Sequence, residues 1–384
     1  MSNLSSGRVS FLMLTILMML ISDGLNAQKV EFKDGVKHIA NNAKGKWGNN
    51  PELQLKLLGQ ITDIGRNGPE AFMKEPCDIA ADSKGNYYVL EQEGSCIKKF
   101  DQDLKYVKTF GGYGKGPGEF VRPFRIFIDK NDLIYASDGL TSIINVYNVE
   151  GEYQKKIKMK GHELYFSVCE DGNIVVPNPT VGYAARAEKL SLIHVLDHEG
   201  KFIKSFGKGI IYKKFPLSNG GNRFVFTSDK DENNILVFLF QNRIEKYNAD
   251  GKLLFSSSRV IKDEMYINKK ENAYYALSVG VSADQEGRIW NLERVNRPRR
   301  LTKEDFEKAS YRDANGIVKL DKSKLDFPDK TDQYAIDLYS PDGEFLYRYP
   351  LDHYGSNIKV IGDKLFICDT GFTMDFYVYQ IIKT

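Results

Sequence analysis

The stretch GGYGKGPGEFVRPFRIFIDKNDLIYASD, residues 111–138, decides the fold because the chain carries a second copy of it. The earlier copy is DIGRNGPEAFMKEPCDIAADSKGNYYVLE, residues 63–91. Pro76 and Asp82 of this copy correspond to Pro123 and Asp129 of the other, at the same spacing. Self-similarity at a fixed period is typical of repeat architectures. The glycine-rich start of the stretch is therefore interpreted as a repeated structural joint.

The same glycines do not match a nucleotide-binding loop. A P-loop has Gly, four residues and then Gly-Lys-Ser/Thr, but Lys115 is followed by Gly116. The dinucleotide pattern G-x-G-x-x-G also fails, because Pro117 stands where its third glycine is needed. Phosphate binding is therefore not expected here.

Two series of tight turns extend the repeat through the chain. Turns of the first series each precede a short apolar strand: SKGN (83–86), KNDL (130–133), EDGN (170–173), DENN (231–234), QEGR (285–288) and GDK (362–364). Turns of the second series lie between two strands: DQDL (101–104), NVEG (148–151), DHEG (197–200), NADG (248–251) and SPDG (340–343). Turns rich in Gly, Asp and Asn are typical of β-hairpins, so the pattern predicts six four-stranded units.

The strand that the sixth unit lacks has a candidate at the start of the chain. LQLKLLGQITDIG (53–65) resembles the outer strands of the other units but precedes the first unit. DFYVYQIIK (375–383), near the end of the chain, reads as a third strand. An N-terminal strand that completes the last unit would close the ring and remove free sheet edges. The expected fold is all-β, a six-bladed β-propeller with four-stranded blades.

The repeat G-x-G-P-G-E-F…P…I-D…I-Y-x-x-D…I-x-V-Y resembles that of NHL-repeat propellers. The chain is most similar to the exported six-bladed propellers of Gram-negative bacteria, a family whose functions are largely uncharacterised. The resemblance covers residues 50–384 and is clearest in units 1 and 2. In later units, Asn178 and Leu239 replace the acidic residue at the end of the second strand. The resemblance implies an architecture and no particular chemistry.

The N-terminus predicts export. FLMLTILMMLI (11–21) is too short an apolar run for a membrane span, which needs about 20 residues, and it matches a signal-peptide core. Cleavage before Gln28 is expected, with no cysteine nearby for lipid attachment and no membrane span afterwards. The predicted divisions are a signal peptide (1–27), an N-terminal extension (28–51) and the propeller (52–384), with an insertion in blade 5 (294–333). The protein is expected to be periplasmic or secreted.

Composition excludes some partners and leaves others open. The net charge of +3 is small beside 54 basic and 51 acidic residues, so nucleic acid is not expected. The four cysteines show no C-x-x-C spacing. Scattered buried thiols are therefore expected, because export permits a disulfide but no spacing specifies one.

Every long insertion of the repeat falls on one side of the ring, which we call the long-loop face. Blade-to-blade connections and second-to-third-strand loops end there, whereas both turn series lie on the opposite side, the turn face. Binding residues concentrate in long loops on rigid scaffolds, so ligand contacts are expected on the long-loop face. The candidate ligand-binding residues are Tyr113, Lys115, Arg125, Arg297, Arg299 and Arg300.

The four arginines among these ligand candidates have competing interpretations. Arg125 would either point into the channel or pair with a carboxylate of a neighbouring blade. The arginines at 297, 299 and 300 would either clamp an anionic ligand at the channel mouth or belong to a solvated loop, where acidic residues between Arg294 and Asp332 offset their charge.

Four acidic residues end second strands at the same face: Glu91, Asp138, Glu293 and Asp369. Each would either accept hydrogen bonds from loop N–H groups of its own blade or join a ring that binds a hard cation such as Ca²⁺. The local role is the favoured interpretation, and no cofactor is expected.

Two histidines, His162 and His353, fall in blade connections of the long-loop face. With nearby carboxylates they could form a metal or acid–base site, which would make the protein a metal-dependent lyase or hydrolase working at the channel mouth. The sequence leaves the enzyme question open and favours a non-catalytic binding or scaffold protein that recognises a peptide, glycan or protein partner.

Overall fold

A computed structural model describes residues 28–159, 165–179, 190–211, 220–259, 267–268, 273–274, 276–295, 304, 307–308, 310–312, 318–320 and 334–384. The signal segment, His162 and the three arginines at 297, 299 and 300 lie outside the described residues. Within these ranges, no helix has the length and apolar character needed to cross a bilayer.

The chain begins with an antiparallel hairpin and the strand that later closes the ring: β1 (Lys29–Lys33), β2 (Val36–Asn41) and β3 (Leu53–Gln60). A short helix, α1 (Ile61–Ile64), and a 3₁₀ turn (Pro69–Ala71) connect β3 to the first blade. Blade 1 contains β4 (Pro76–Ala81), β5 (Tyr87–Glu91), β6 (Cys96–Phe100) and β7 (Tyr106–Gly111).

The next three blades repeat this antiparallel order. Blade 2 contains β8 (Pro123–Ile128), β9 (Ile134–Asp138), β10 (Ile143–Tyr147) and β11 (Tyr153–Lys158). Blade 3 contains β12 (Ser167–Val168), β13 (Ile174–Pro177), β14 (Ser191–Leu196) and β15 (Phe202–Lys208). Blade 4 contains β16 (Phe224–Ser228), β17 (Asn234–Phe238), β18 (Arg243–Tyr247) and β19 (Leu253–Arg259).

Two small hairpins stand in the insertions around blade 5. The first is formed by β20 (Ile267–Asn268) and β21 (Ala273–Tyr274). Blade 5 contains β22 (Ser278–Ala283), β23 (Ile289–Arg294), β26 (Tyr334–Tyr339) and β27 (Phe345–Leu351), and its insertion carries β24 (Ser310–Arg312) and β25 (Val318–Leu320). Blade 6 contains β28 (Asn357–Ile361), β29 (Lys364–Asp369) and β30 (Asp375–Lys383).

The ring closes as the sequence predicts. Strand β3 pairs antiparallel with β30, from Leu53 opposite Lys383 to Gln60 opposite Tyr377. This pairing makes the N-terminal strand the outermost strand of blade 6. The all-β, six-bladed propeller with four-stranded blades is therefore confirmed.

Aspartate and asparagine recur at the turns because their side chains cap the turn backbone. The Asp82 carboxylate accepts hydrogen bonds from the N–H groups of Lys84 and Asn86, and Asp129 repeats this two and four residues on. Such bonds let Asp and Asn stabilise turns. The spacing noticed in the sequence is thus a spacing of turn caps.

Glycines in the second turn series serve the packing between blades. Gly151 has a φ of +76°, and a Cβ there would lie 2.7 Å from the Phe110 ring of the preceding blade. Gly343 repeats this against Phe255, with a φ of +85° and a distance of 2.6 Å. A left-handed backbone and a close ring together leave room only for glycine.

Strand register corrects one detail of the repeat. Phe238 pairs with Phe224 as Asp138 pairs with Pro123, so Phe238 and not Leu239 occupies the acidic position in blade 4. Asn178 follows β13 at the corresponding position in blade 3, as expected. The sequence alignment was wrong by one residue because Phe238 and Leu239 are both apolar.

Residues 28–51 form a strap around blades 4 and 5. Strand β2 pairs in parallel with β19 and so widens blade 4 to six strands. Farther along, the N–H groups of Lys46 and Trp47 donate to the carbonyls of Phe345 and Leu346 in blade 5. The segment therefore links blade 4 to blade 5 before β3 enters blade 6.

The buried side chain of Asn41 connects the strap to both blades. Its Nδ2 donates to Ser257 Oγ at 2.8 Å and to the Gly343 carbonyl at 3.1 Å. Its Oδ1 accepts a hydrogen bond from the Phe345 N–H at 2.9 Å. One amide of the strap thus satisfies polar groups of two distant segments, one in blade 4 and one in blade 5.

We expect Asn41→Ala to lower the free energy of unfolding by about 2 to 4 kcal/mol, because several buried groups lose their partners at once. Chemical denaturation of the chain from Gln28 measures this change. Asn50→Ala is the matched control, since Asn50 is exposed on the same strap. Equal stability of the two variants would contradict the connecting role of Asn41.

Candidate functional site

Six residues at one level of the inner strands form a ring near the long-loop face. In blades 1 to 5, each is the fourth residue before the residue whose carbonyl accepts the hydrogen bond of the first-series turn, which is Asp82, Asp129, Cys169, Asp229 or Asp284. In blade 6, it is the fourth residue before Ile361, the last residue of β28. The ring consists of Asp78, Arg125, Tyr165, Val225, Gly280 and Asn357.

The polar members of this ring gather on one side. Asn357 Nδ2 donates to Asp78 Oδ1 at 3.1 Å, and Arg125 lies beside the same carboxylate. The opposite side has the buried Val225 and Gly280, whose missing side chain lets blade 6 approach. We call Asp78, Arg125, Tyr165 and Asn357 the mouth cluster. Because these polar residues lie in blades 6, 1, 2 and 3 but not in blades 4 and 5, the channel mouth lacks the six-fold symmetry of the repeat.

Asp78 is buried, and the fold satisfies its carboxylate. Oδ1 accepts hydrogen bonds from the Ile79 N–H at 3.0 Å and from Asn357 Nδ2 at 3.1 Å. Oδ2 accepts a hydrogen bond from the Ile126 N–H of blade 2 at 3.2 Å. Asp78 therefore ties blades 6, 1 and 2 together at the mouth.

The structure places Arg125 in the channel and beside, but not hydrogen-bonded to, a carboxylate of the neighbouring blade. It lines the central cavity, and its Nε lies 4.0 Å from Oδ2 of Asp78 in the neighbouring blade. The guanidinium carbon lies 4.4 Å from the centre of the Tyr165 ring and 4.7 Å from that of Phe124. Stacking on two rings fixes the plane of the guanidinium group.

The mouth cluster opens into a cavity of about 240 Å³ along the channel. Its wall continues toward the turn face with small and hydroxyl side chains, including Ala81, Ser167, Thr227 and Ser282. The cavity is smaller than the ~300 to 1,000 Å³ typical of sites that enclose a whole drug-sized ligand. It has room for one end of a larger molecule.

Asp138 and Asp369 cap loops of their own blades. Asp138 accepts hydrogen bonds from four backbone N–H groups, those of Val121, Arg122, Leu140 and Thr141. Burial opposes its ionisation, but these hydrogen bonds outweigh burial and lower the pKa of Asp138. Asp369 likewise accepts from three backbone N–H groups, at residues 371 to 373.

Glu91 is also engaged within its own blade. Its Oε1 lies 3.3 Å from the ammonium nitrogen of Lys98, and its Oε2 accepts a hydrogen bond from the Cys96 thiol at 3.6 Å. Burial raises the pKa of Glu91, although Lys98 opposes this shift. Among the described residues, no three His, Cys, Asp or Glu side chains come together as a metal-binding group.

Glu293 belongs to a buried ionic network between blades 4 and 5. Arg259 Nη2, from the outer strand of blade 4, lies 2.9 Å from Glu293 Oε2 and 2.5 Å from Asp337 Oδ2. Arg348, on the outer strand of blade 5, donates hydrogen bonds to the carboxylates of both Glu293 and Asp337. The network ties two blades together away from the mouth cluster.

The two carboxylates of this network differ in protonation. Burial and the neighbouring Asp337 raise the pKa of Glu293 to about 8, against the opposing effect of the two guanidinium groups. At Asp337 burial also opposes ionisation, but Arg259 and Arg348 outweigh it and lower the pKa. Asp337 accepts from the two guanidinium groups through both of its carboxylate oxygens, whereas Glu293 is contacted at Oε2 alone, so Asp337 keeps the charge.

His353 is part of the core of blade 6. Its ring stacks on Tyr377 with 3.7 Å between ring centres, and its two ring nitrogens contact the Tyr354 carbonyl and the Tyr379 hydroxyl. Burial lowers the pKa of His353. Both nitrogens are thus engaged in structural hydrogen bonds.

Tyr113 and Lys115 lie on the loop between blades 1 and 2. Tyr113 is 78% exposed, and Lys115 lines a second cavity of about 460 Å³ with Glu119, Asn145 and Lys156. The Glu119 carboxylate accepts a hydrogen bond from the Gly116 N–H at 2.7 Å, which shapes the glycine-rich loop. The loop holds these two side chains apart from the mouth cluster.

The four cysteines are free, and each is at least partly buried. Burial raises the pKa of every thiol, to about 12 for Cys96 and Cys169. Reactive cysteines need the thiolate, so these side chains are poor nucleophiles.

Sequence reasoning missed Asp78, Tyr165 and Asn357. The sequence does contain a signal for these residues. When the inner strands are aligned on the turns that follow them, the position of Asp78 holds a different residue type in every blade. The short inner strand of blade 3 and the tighter turn of blade 6 obscured that alignment.

We expect stability to fall as the pH rises from the ordinary glutamate range towards 8, because folded Glu293 holds a proton that the unfolded chain releases. Glu293→Gln keeps the neutral form and should weaken this pH dependence, as measured by urea unfolding at pH 5 and pH 8.

Asp337→Asn is the contrasting variant for the same network. It leaves two buried guanidinium groups with less compensation and should cost about 3 to 5 kcal/mol at both pH values. An unchanged pH dependence in Glu293→Gln would show that Glu293 is ionised in the native protein.

Comparison with known proteins agrees with this fold. Residues 73–208 match the family model DUF5128, described as a 6-bladed beta-propeller. Protein brain tumor from Drosophila melanogaster is 24% identical over 164 residues, which is 41% of this chain and 15% of that protein. The match thus spans a small part of that relative.

Solved structures show the same architecture. A Bacteroides fragilis protein named as a candidate exported protein is 13% identical, with a TM-score of 0.56 over 90% of this chain and 99% of that chain. Virginiamycin B lyase from Staphylococcus aureus is 12% identical, with a TM-score of 0.46 over 86% and 100%. The similarity to the Bacteroides fragilis protein shows the fold alone. The chain is a six-bladed β-propeller with NHL-like repeats.

Proposed function

We propose that this protein is an exported, non-catalytic binding propeller. Its partner, a peptide, a glycan or another protein, lies across the long-loop face and places one end in the channel mouth. The observation that carries the proposal is the mouth cluster. It is held by contacts among blades 6, 1 and 2 at the long-loop end of the inner strands, and it opens into the cavity along the channel.

Preorganisation supports binding at this position. Asp78 is fully hydrogen-bonded, Arg125 is held between two rings, and Asn357 is buried. Side chains fixed before the ligand arrives lose little conformational entropy on binding. The exposed ring of Tyr113, on the loop between blades 1 and 2, offers a separate aromatic contact on the long-loop face, and aromatic residues are common anchors of interfaces.

The described groups that would serve catalysis are engaged elsewhere. The nitrogens of His353 contact Tyr354 and Tyr379, and the four acidic strand ends cap loops or join ion pairs. These contacts favour a binding role over the alternative of a metal-dependent lyase or hydrolase. Export is supported by the predicted signal segment, and the similar Bacteroides fragilis protein is named as a candidate exported protein.

Binding of peptide and glycan arrays to the purified chain from Gln28 tests this function. We expect Tyr113→Ala to weaken binding about tenfold, the effect of losing an aromatic anchor. Phe202→Ala is the control, because Phe202 is 48% exposed and begins an outer strand at the turn face. Equal weakening by the two variants, or turnover of a bound ligand, would overturn the proposal.

A further inference from the structure

The central cavity carries more positive than negative charge. Its lining includes two cations, Arg125 and Lys359, and one carboxylate, Asp78. Asp78 already accepts three N–H hydrogen bonds, from Ile79, Ile126 and Asn357. Its capacity to compensate the two cations is therefore reduced.

Arg125 makes no hydrogen bond to a carboxylate among the described residues. The nearest one, Asp78 Oδ2, is 4.0 Å from Nε, beyond hydrogen-bond distance. Nη1 donates to the carbonyls of Cys77 and Phe124, at 3.3 and 3.4 Å, and the side chain also hydrogen-bonds to Tyr165. The side chain is 13% exposed, so this under-compensated charge lies mostly out of solvent.

Lys359 is the second cation of the same cavity. It stands on the inner strand of blade 6, two residues after Asn357 on the same side of that strand, and it is half-buried. No described carboxylate lies within ion-pair distance of its ammonium group. The channel thus presents one cation on the inner strand of blade 2 and another on the inner strand of blade 6, with blade 1 between them.

We propose that the channel mouth binds the carboxylate of a ligand's end group, with Arg125 as the primary contact and Lys359 as the second. This inference rests on the proposed binding function and names its ligand chemistry. The planar guanidinium fork matches a carboxylate, and the nearby rings hold it in one orientation. The cavity volume of about 240 Å³ suits an acidic sugar or the C-terminal residue of a peptide.

Calorimetric titration with matched probes tests this ligand chemistry. D-Glucuronate is compared with D-glucose, and N-acetyl-alanyl-alanine with its C-terminal amide. We expect at least one carboxylate to bind, and about tenfold or more weaker binding of its neutral counterpart. Binding of D-glucuronate would identify the ligand's end group as an acidic sugar, and binding of N-acetyl-alanyl-alanine would identify it as a peptide C-terminus.

Variants assign the contact to named residues. We expect Arg125→Met to weaken carboxylate binding by about tenfold or more, and Lys359→Met to weaken it less. Arg125→Lys keeps the charge but loses the fork, so its affinity should fall between wild type and Arg125→Met. Lys130→Met, in an exposed turn of the turn face, is the control. The melting temperature of each variant shows that it is folded.

Three results would overturn the inference: no carboxylate binds, the neutral probes bind equally well, or folded Arg125→Met and Arg125→Lys bind like wild type. If larger ligands bind and Tyr113→Ala weakens their binding but Arg125→Met does not, only the carboxylate contact is refuted and the proposed binding function is not. If neither the carboxylate probes nor the larger ligands bind, the proposed binding function is refuted as well.

Discussion

The pairing of β3 with β30 is the constraint on which the rest of the structure depends. Each blade buries both faces only when a neighbour lies on each side, so the ring must close before any blade is complete. Blade 6 receives its outer strand from the start of the chain, and the strap from residue 28 to residue 51 reaches it across blades 4 and 5. The buried amide of Asn41 and the Arg259 network reinforce contacts between those two blades.

Closure also determines what the channel mouth can be. Six inner strands meet at one level, and each contributes one residue there, of a type that differs from blade to blade. Because the Asp78 carboxylate is satisfied by blades 1, 2 and 6 together, the mouth cluster exists only in the closed ring. A rigid scaffold with one asymmetric polar cluster is suited to binding, and the under-compensated charge of Arg125 narrows the ligand chemistry we propose.

Much of the fold could be predicted from local chemistry. Asp82 and Asp129 recur because turns need their caps, and Gly151 and Gly343 recur because a positive φ and a neighbouring ring exclude any side chain. Such requirements repeat in every blade and are therefore visible as a pattern. The site was less predictable. Arg125 was identified, but Asp78 and Asn357 are 279 residues apart in the chain and meet only across the closing junction.

The roles of the acidic residues show the same division. The sequence placed Glu91, Asp138, Glu293 and Asp369 at equivalent strand ends, and their number and face follow from the repeat alone. Only the tertiary structure decided that Asp138 and Asp369 cap loops while Glu293 joins two guanidinium groups. The sequence by itself thus determined the six-bladed ring, because turn and strand signals are local and repeated. The tertiary structure decided the mouth cluster and the buried network, because their charges come from different blades and their energies depend on burial and distance.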